Sequence, residues 1–300
     1  LAKKLKINPT NMMIAIAISS NLQGTATLIG DPPSMLLAGF AKLNFMDFFF
    51  QQGKPSIFFA VEIGAIVSFF VLYFVFKGNR EKVEITYIEK IRSWVPTYIL
   101  ILLVITLALS SFLDRNFSYF GGIICLFFGI VSLLWRKFFD KGSILKGLKK
   151  LDWETSLFLL GIFILVGTIT LTGWVNEIAK LFLRIVGSNV FLGYSLLVFS
   201  AVFFSAFVDN VPFLAAMLPV AINMAKELGT QPSLFLFGLL VGASLGGNIT
   251  PIGASANIVA CGLLKKEGII VRFKDFVKIG LPFTLSAVIS AYIFVWFVWR

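Results

Sequence analysis

The residues best placed to do chemistry sit in two short stretches that repeat one another. The first runs Ser20-Asn21-Leu22-Gln23-Gly24-Thr25-Ala26-Thr27-Leu28-Ile29-Gly30-Asp31-Pro32-Pro33-Ser34, and the second Leu245-Gly246-Gly247-Asn248-Ile249-Thr250-Pro251-Ile252-Gly253-Ala254-Ser255-Ala256-Asn257. Gly24 falls on Gly247, Thr27 on Thr250, Gly30 on Gly253 and Gly39 on Gly262, each pair 223 positions apart. Both stretches are embedded in apolar sequence, where Gly and Pro prevent a continuous helix and leave N–H and C=O groups without bulk water to satisfy them. Such a break persists at membrane depth only where protein buries it or it lines a cavity, and matching breaks in two halves of a chain point to the substrate site of a secondary transporter. The chemistry on offer is ion binding, because half-helix N-termini present N–H groups to anions and half-helix C-termini present carbonyls to cations. Gly24, Thr25, Thr27 and Asp31 are the candidates in the first break, and Gly247, Asn248, Thr250 and Asn257 in the second. Close helix packing through small residues is the competing explanation. It leaves Asp31-Pro32-Pro33 without a reason.

A third polar point is Asp209-Asn210, flanked by Ala206, Phe207, Val208, Val211 and Pro212. An acid in such surroundings is costly at membrane depth and is a functional candidate by default. Asn210 offers both a donor and an acceptor, which suits exchange of an ion's water shell. The alternative is a solvated tip. Other chemistries find no residues. The chain has no His, so a metal centre or His relay has nothing to rest on, and no Ser/His, His/Glu or paired-Asp arrangement marks an enzyme. No cofactor fingerprint occurs. Cys125 and Cys261 stand singly in apolar sequence and read as buried structural thiols.

The elements that carry these residues follow from composition. Hydrophobic residues make up 58% of the chain, with 34 Phe, well above the roughly 45–50% of soluble domains. The expected fold is an all-α polytopic membrane protein. Residues 1–93 hold a broken helix over 10–41 and a span over 56–76. Residues 94–300 hold spans over 94–112, 117–135 and 155–171, a re-entrant hairpin over 188–226 with Asp209 at its tip, a second broken helix over 232–264 and a last span over 276–299. Gly173–Gly187 carries Glu177, Lys180 and Arg184 between apolar residues and suits a helix lying at the interface. The segment 136–150 reads as a basic connector or a surface helix.

The net charge of +11 is a matter of topology rather than of nucleic-acid binding, since the basic residues sit between apolar spans. With 1–9, 77–92, 136–150 and 264–274 placed inside, 18 Lys and Arg face the cytoplasm against seven assigned outside. That orientation makes the two broken helices antiparallel, and hence inverted-topology repeats. Moving Asp209-Asn210 back by 223 positions falls before Leu1, so the first repeat is expected to be N-terminally truncated in this sequence.

Taken together, Gly24 to Pro33, Asp209 to Pro212 and Gly246 to Asn257 resemble the ArsB/NhaD permease group of the ion-transporter superfamily, which also contains the melanosomal P protein and citrate-type permeases. The resemblance covers essentially the whole chain. It implies a multi-pass carrier of the cell membrane working by alternating access, moving arsenite or antimonite, exchanging sodium for protons, or carrying carboxylates. It implies that Asp209, Asn210, Asn248, Thr250 and Asn257 line one half-site and Thr25, Thr27 and Asp31 the other. Gln23 and Ser34 depart from the group's usual Gly and Asn. The expected partners are a small inorganic or organic ion, H+ or Na+ as coupling ion, the lipid bilayer, and either a second copy or a soluble ATPase. The leading expectation is an ion-coupled carrier of a small anion or oxyanion. A sodium/proton antiporter or a di- or tricarboxylate symporter of the same architecture stands beside it, with a passive anion channel and a transport-incompetent subunit as readings of another class.

Overall fold

A computed structural model describes residues 9–78, 93–113, 120–139, 144–149, 151 and 153–300. The basic N-terminal segment expected over 1–9 and the charged loop over 77–92 lie largely outside the described residues. The first unit contains α1 (Thr10–Gly24), α2 (Pro32–Ala41) and α3 (Ile57–Phe76). There follow α4 (Val95–Leu113), α5 (Phe120–Phe138), the short α6 (Ile144–Leu148), α7 (Trp153–Leu171) and α8 (Trp174–Val186). The remainder is α9 (Val190–Ser205), α10 (Asn210–Glu227), α11 (Pro232–Gly246), α12 (Ser255–Lys266) and α13 (Phe273–Trp299). Among the described residues five helices are long and apolar enough to cross a membrane: α3, α4, α5, α11 with its 3-10 extension, and α13. The α7–α8 pair, bent by 70°, makes a sixth if counted as one span. The fold is all-α and polytopic.

Local sequence explains where these helices begin and bend. Pro32 and Pro33 open α2, where the missing N–H costs nothing, and Asp31 caps it by accepting the Ser34 N–H at 2.8 Å. Pro232 opens α11 in the same way. Gly173, at φ 80°, turns the chain between α7 and α8, a conformation that L side chains rarely adopt. The α8 helix then packs Val175, Ala179 and Val186 inward and leaves Glu177 and Lys180 paired at 2.9 Å on its exposed side. In α13 the first turn is set by Asp275, which pairs with Arg272 at 2.8 Å, so the helix starts at Phe273 rather than near 276.

The core is built around α11. This helix is almost wholly buried, with α9 and α10 along its sides and α13 behind it. Gly238, Gly242 and Gly246 recur every fourth residue on one face and allow α9 to come close. A Cβ at Gly242 would lie 2.6 Å from the Val198 carbonyl, and one at Gly246 2.7 Å from that of Val202. This is small-residue packing of the kind membrane helices use, which rests on close van der Waals contact. The largest helix interface joins α3 to α13. A Cβ at Gly64 would lie 2.9 Å from the carbonyl of Ala287, so this interface too rests on close backbone approach at a small residue.

The connection over 44–55 forms a 3-10 turn at Met46–Phe48 and a small hairpin, Phe50–Gln51 against Lys54–Pro55. Its turn residues Gln52 and Gly53 both have positive φ, 53° and 76°, the pattern of a type I′ turn. Cys125 is exposed on α5 and Cys261 half-exposed on α12, both as free thiols. The expectation that both cysteines are buried needs correction: Cys125 lies on an apolar helix surface away from the core, while Cys261 packs partly against it without being buried.

Candidate functional site

The two breaks have the same backbone geometry. In each, the first and last glycines of the repeat come face to face: Gly30 packs on Gly24, and a Cβ at Gly253 would lie 2.6 Å from the Gly247 carbonyl. Each break is also held by the side chain at one equivalent position. Asn257 donates both amide hydrogens, to the carbonyls of Gly247 and Thr250 at 2.9 Å each. Ser34, the equivalent residue, has one hydroxyl for the carbonyls of Gly24 and Thr25, at 3.5 and 3.4 Å. The departure from Asn to Ser therefore leaves the first break more loosely tied.

Beyond the shared frame the two breaks differ in charge. Asp31 brings a carboxylate to the first, where one oxygen caps α2 and the other lies 3.4 Å from the Thr25 hydroxyl. Its equivalent in the second break is Ala254, and α12 starts without a side-chain cap. The second break is instead lined by neutral groups, Asn248, Thr250 and Asn257, all within 1% of full burial.

The end of the hairpin abuts the second break. Thr250 donates to the Ala206 carbonyl at 2.5 Å and accepts the Gly253 N–H at 3.1 Å. A Cβ at Gly253 would also lie 2.8 Å from the Ser205 carbonyl. Asp209 is the N-cap of α10 and accepts the Val211 N–H at 3.0 Å. Asn210 follows in the first turn, 8% exposed and without a side-chain hydrogen bond among the described residues. Thr27 is half-buried and makes none either.

One residue not picked out from the sequence joins these parts. Asn21, on the last turn of α1, donates its side-chain amide to Asn248 Oδ1 at 2.9 Å and to Asn257 Oδ1 at 3.2 Å. Asn248 in turn donates to the Ile18 carbonyl at 3.2 Å. The Asn21 carbonyl accepts from the Thr25 hydroxyl at 3.1 Å. Asp31, Thr25, Asn21, Asn248, Asn257, Thr250 and the hairpin end thus form one connected network. The structure brings together most of the residues picked from sequence, with Asp209 and Asn210 at the hairpin end beside them.

The comparisons with known proteins bear on what such a network belongs to. The family model described as "Citrate transporter" matches residues 1–242 and again 127–300. The chain belongs to the citrate transporter family. It is 28% identical over 297 residues to an uncharacterized transporter of Mycobacterium tuberculosis, covering 98% of this chain and 68% of the relative. An uncharacterized transporter of Synechocystis is 25% identical over 319 residues, covering 98% and 70%. The P protein of Homo sapiens is 26% identical over 360 residues, covering 94% and 43%. As a member of the citrate transporter family with several membrane-crossing helices, this is a multi-pass membrane protein of transporter type rather than an enzyme. Within this citrate transporter family member the signal that could have found Asn21 was faint. It lies one turn before Gly24, inside the repeated stretch, but its repeat partner is Ser244.

Proposed function

We propose that this protein is a secondary active carrier that moves a small anion, with di- and tricarboxylates as the first substrate class, coupled to H+ or Na+ by alternating access. The observation that carries the reading is the hydrogen-bonded union of two broken helices and a hairpin end around neutral amide and hydroxyl groups. Asp31 and Asp209 already cap α2 and α10, whereas α12 starts without a side-chain cap and its first-turn backbone N–H groups suit an anion's carboxylate oxygens, since the N-terminal ends of half-helices favour negative charge. The C-terminal ends of α1 and α11 bring main-chain carbonyls to the breaks, and such half-helix ends suit a coupling cation. Asp31 is the membrane-depth carboxylate in the network and the candidate to exchange a proton or cation. The family match supports carboxylates ahead of arsenite-type oxyanions.

A sodium/proton antiporter is the second reading. It is favoured by the same Asp31, since an acid in one half and neutral amides in the other could bind a cation with no organic substrate. Purified protein in proteoliposomes separates these readings. Citrate uptake that depends on an imposed H+ or Na+ gradient supports the carrier. Sodium-driven proton movement without citrate supports the antiporter. Citrate flux indifferent to either gradient identifies a passive channel, and arsenite flux with citrate excluded moves the substrate class to oxyanions.

A further inference from the structure

We propose that Asn21 is the positioning residue that makes the two half-sites one: it holds the Asn248 and Asn257 side-chain oxygens at a single point and links them to Asp31 of the other repeat. The inference rests on reading the network as the ion site. Among the described residues, Asn21 is the one side chain of the first unit that donates hydrogen bonds to the second break, over separations of 227 and 236 positions.

The geometry leaves little freedom around it. Asn257 has both amide hydrogens committed to backbone carbonyls, and Asn248 has one committed to Ile18. Both side chains are therefore locked with their Oδ1 atoms turned toward Asn21. Two carbonyl oxygens converging on one point repel each other unless a donor or a cation lies between them. The Asn21 amide is that donor. Truncating it would leave two buried acceptors unpaired, which is costly.

The other side of Asn21 carries the link to charge. The Thr25 hydroxyl has one hydrogen and two acceptors within reach, the Asn21 main-chain carbonyl at 3.1 Å and Asp31 Oδ2 at 3.4 Å. With Asp31 ionised, that hydrogen is drawn to the carboxylate. With Asp31 protonated or occupied by a cation, it is free for the Asn21 carbonyl. A change of state at Asp31 thus alters the hydrogen bonding of the main chain at Asn21, the turn from which the side chain that orients Asn248 and Asn257 extends. Coupling between the halves then requires no large movement at the site.

The test uses the full chain in proteoliposomes with citrate as probe and an H+ or Na+ gradient. Asn21→Ala should raise the half-saturating coupling-ion concentration about tenfold, the effect expected for one lost buried hydrogen bond. Asn21→Asp should be worse, since it sets an acceptor against two acceptors. Asn21→Leu, which fills the space without donating, should not restore the wild-type ion dependence. Wild-type ion dependence in Asn21→Ala, or restoration by Asn21→Leu, overturns the proposal and reduces the residue to packing. If the wild-type protein moves no citrate, the functional reading falls, and the tie is judged by thermal unfolding in detergent. Asn21→Ala and Asn248→Ala should then lower Tm by less together than the sum of the single losses, because the bond they share is lost once. Strictly additive losses overturn the tie itself.

Discussion

At Asp31 one carboxylate oxygen caps α2 and the other faces Thr25, so its charge and its cap can be separated by choice of substitution. Asn caps a helix nearly as well as Asp, whereas Ala loses about 1 kcal/mol. Asp31→Asn should therefore keep its Tm and lose gradient-coupled uptake, while Asp31→Ala should lose both. A fully coupled Asp31→Asn protein would leave Asp31 a cap and nothing more. Asn257 offers a second test, because the first repeat already contains the smaller solution. Asn257→Ala removes both bonds to Gly247 and Thr250 and should destabilise by about 2 kcal/mol or more. Asn257→Ser copies Ser34 and should fall between the two in thermal unfolding. An Asn257→Ser protein no more stable than Asn257→Ala would show that the hydroxyl does not reach the carbonyls.

Among the elements, the broken helices can be tested through glycines that the repeat shares but the packing treats differently. Gly253 is crowded by the carbonyls of Gly247, Ser205 and Ala206, whereas Gly39 and Gly262 have open space where a Cβ would go. Gly253→Ala should cost about 1–3 kcal/mol, as overpacking does, and stop transport by parting the hairpin end from the break. Gly262→Ala, inside α12, should be neutral or stabilising by up to about 1 kcal/mol, since Ala is the better helix former. Equal losses from both would mean that the break is not set by close backbone approach. The helices themselves were legible because long apolar runs, prolines and the 223-residue repeat all survive in the one-dimensional sequence. The hairpin over 50–55 was not, because Gln52 gives no hint of positive φ. Nor was the Gly238-Gly242-Gly246 stripe, whose meaning depends on α9 lying against it.

For the whole molecule, the antiparallel arrangement of the two units is a prediction of charge. Lys54→Cys and Lys266→Cys, in a background without Cys125 and Cys261, should react with a membrane-impermeant thiol reagent from opposite sides. Reaction from the same side would break the inverted arrangement. Gly64 lies directly against the Ala287 carbonyl, so Gly64→Leu should separate α3 from α13 and lower Tm accordingly. The candidate site was legible as two breaks and a tip, since residue types and repeats mark them. Their connection was not legible, because Asn21 meets Asn248 and Asn257 only after α1 packs against α12, a tertiary event that no local pattern records.

The mismatch between Asp31 and Ala254 reaches further than the site. A frame with two similar halves would let a carrier face either side at similar energy, yet among the described residues the two halves carry their acids at different places, Asp31 in the first break and Asp209 at the hairpin end rather than in the second break. The inward-facing and outward-facing forms then respond unequally to the same pH. Detailed balance forbids any net pumping from this alone. What it permits is kinetic rectification: half-saturating concentrations that differ between the two faces, compensated by unequal turnover, so that vesicles of opposite sidedness give different saturation curves with one equilibrium.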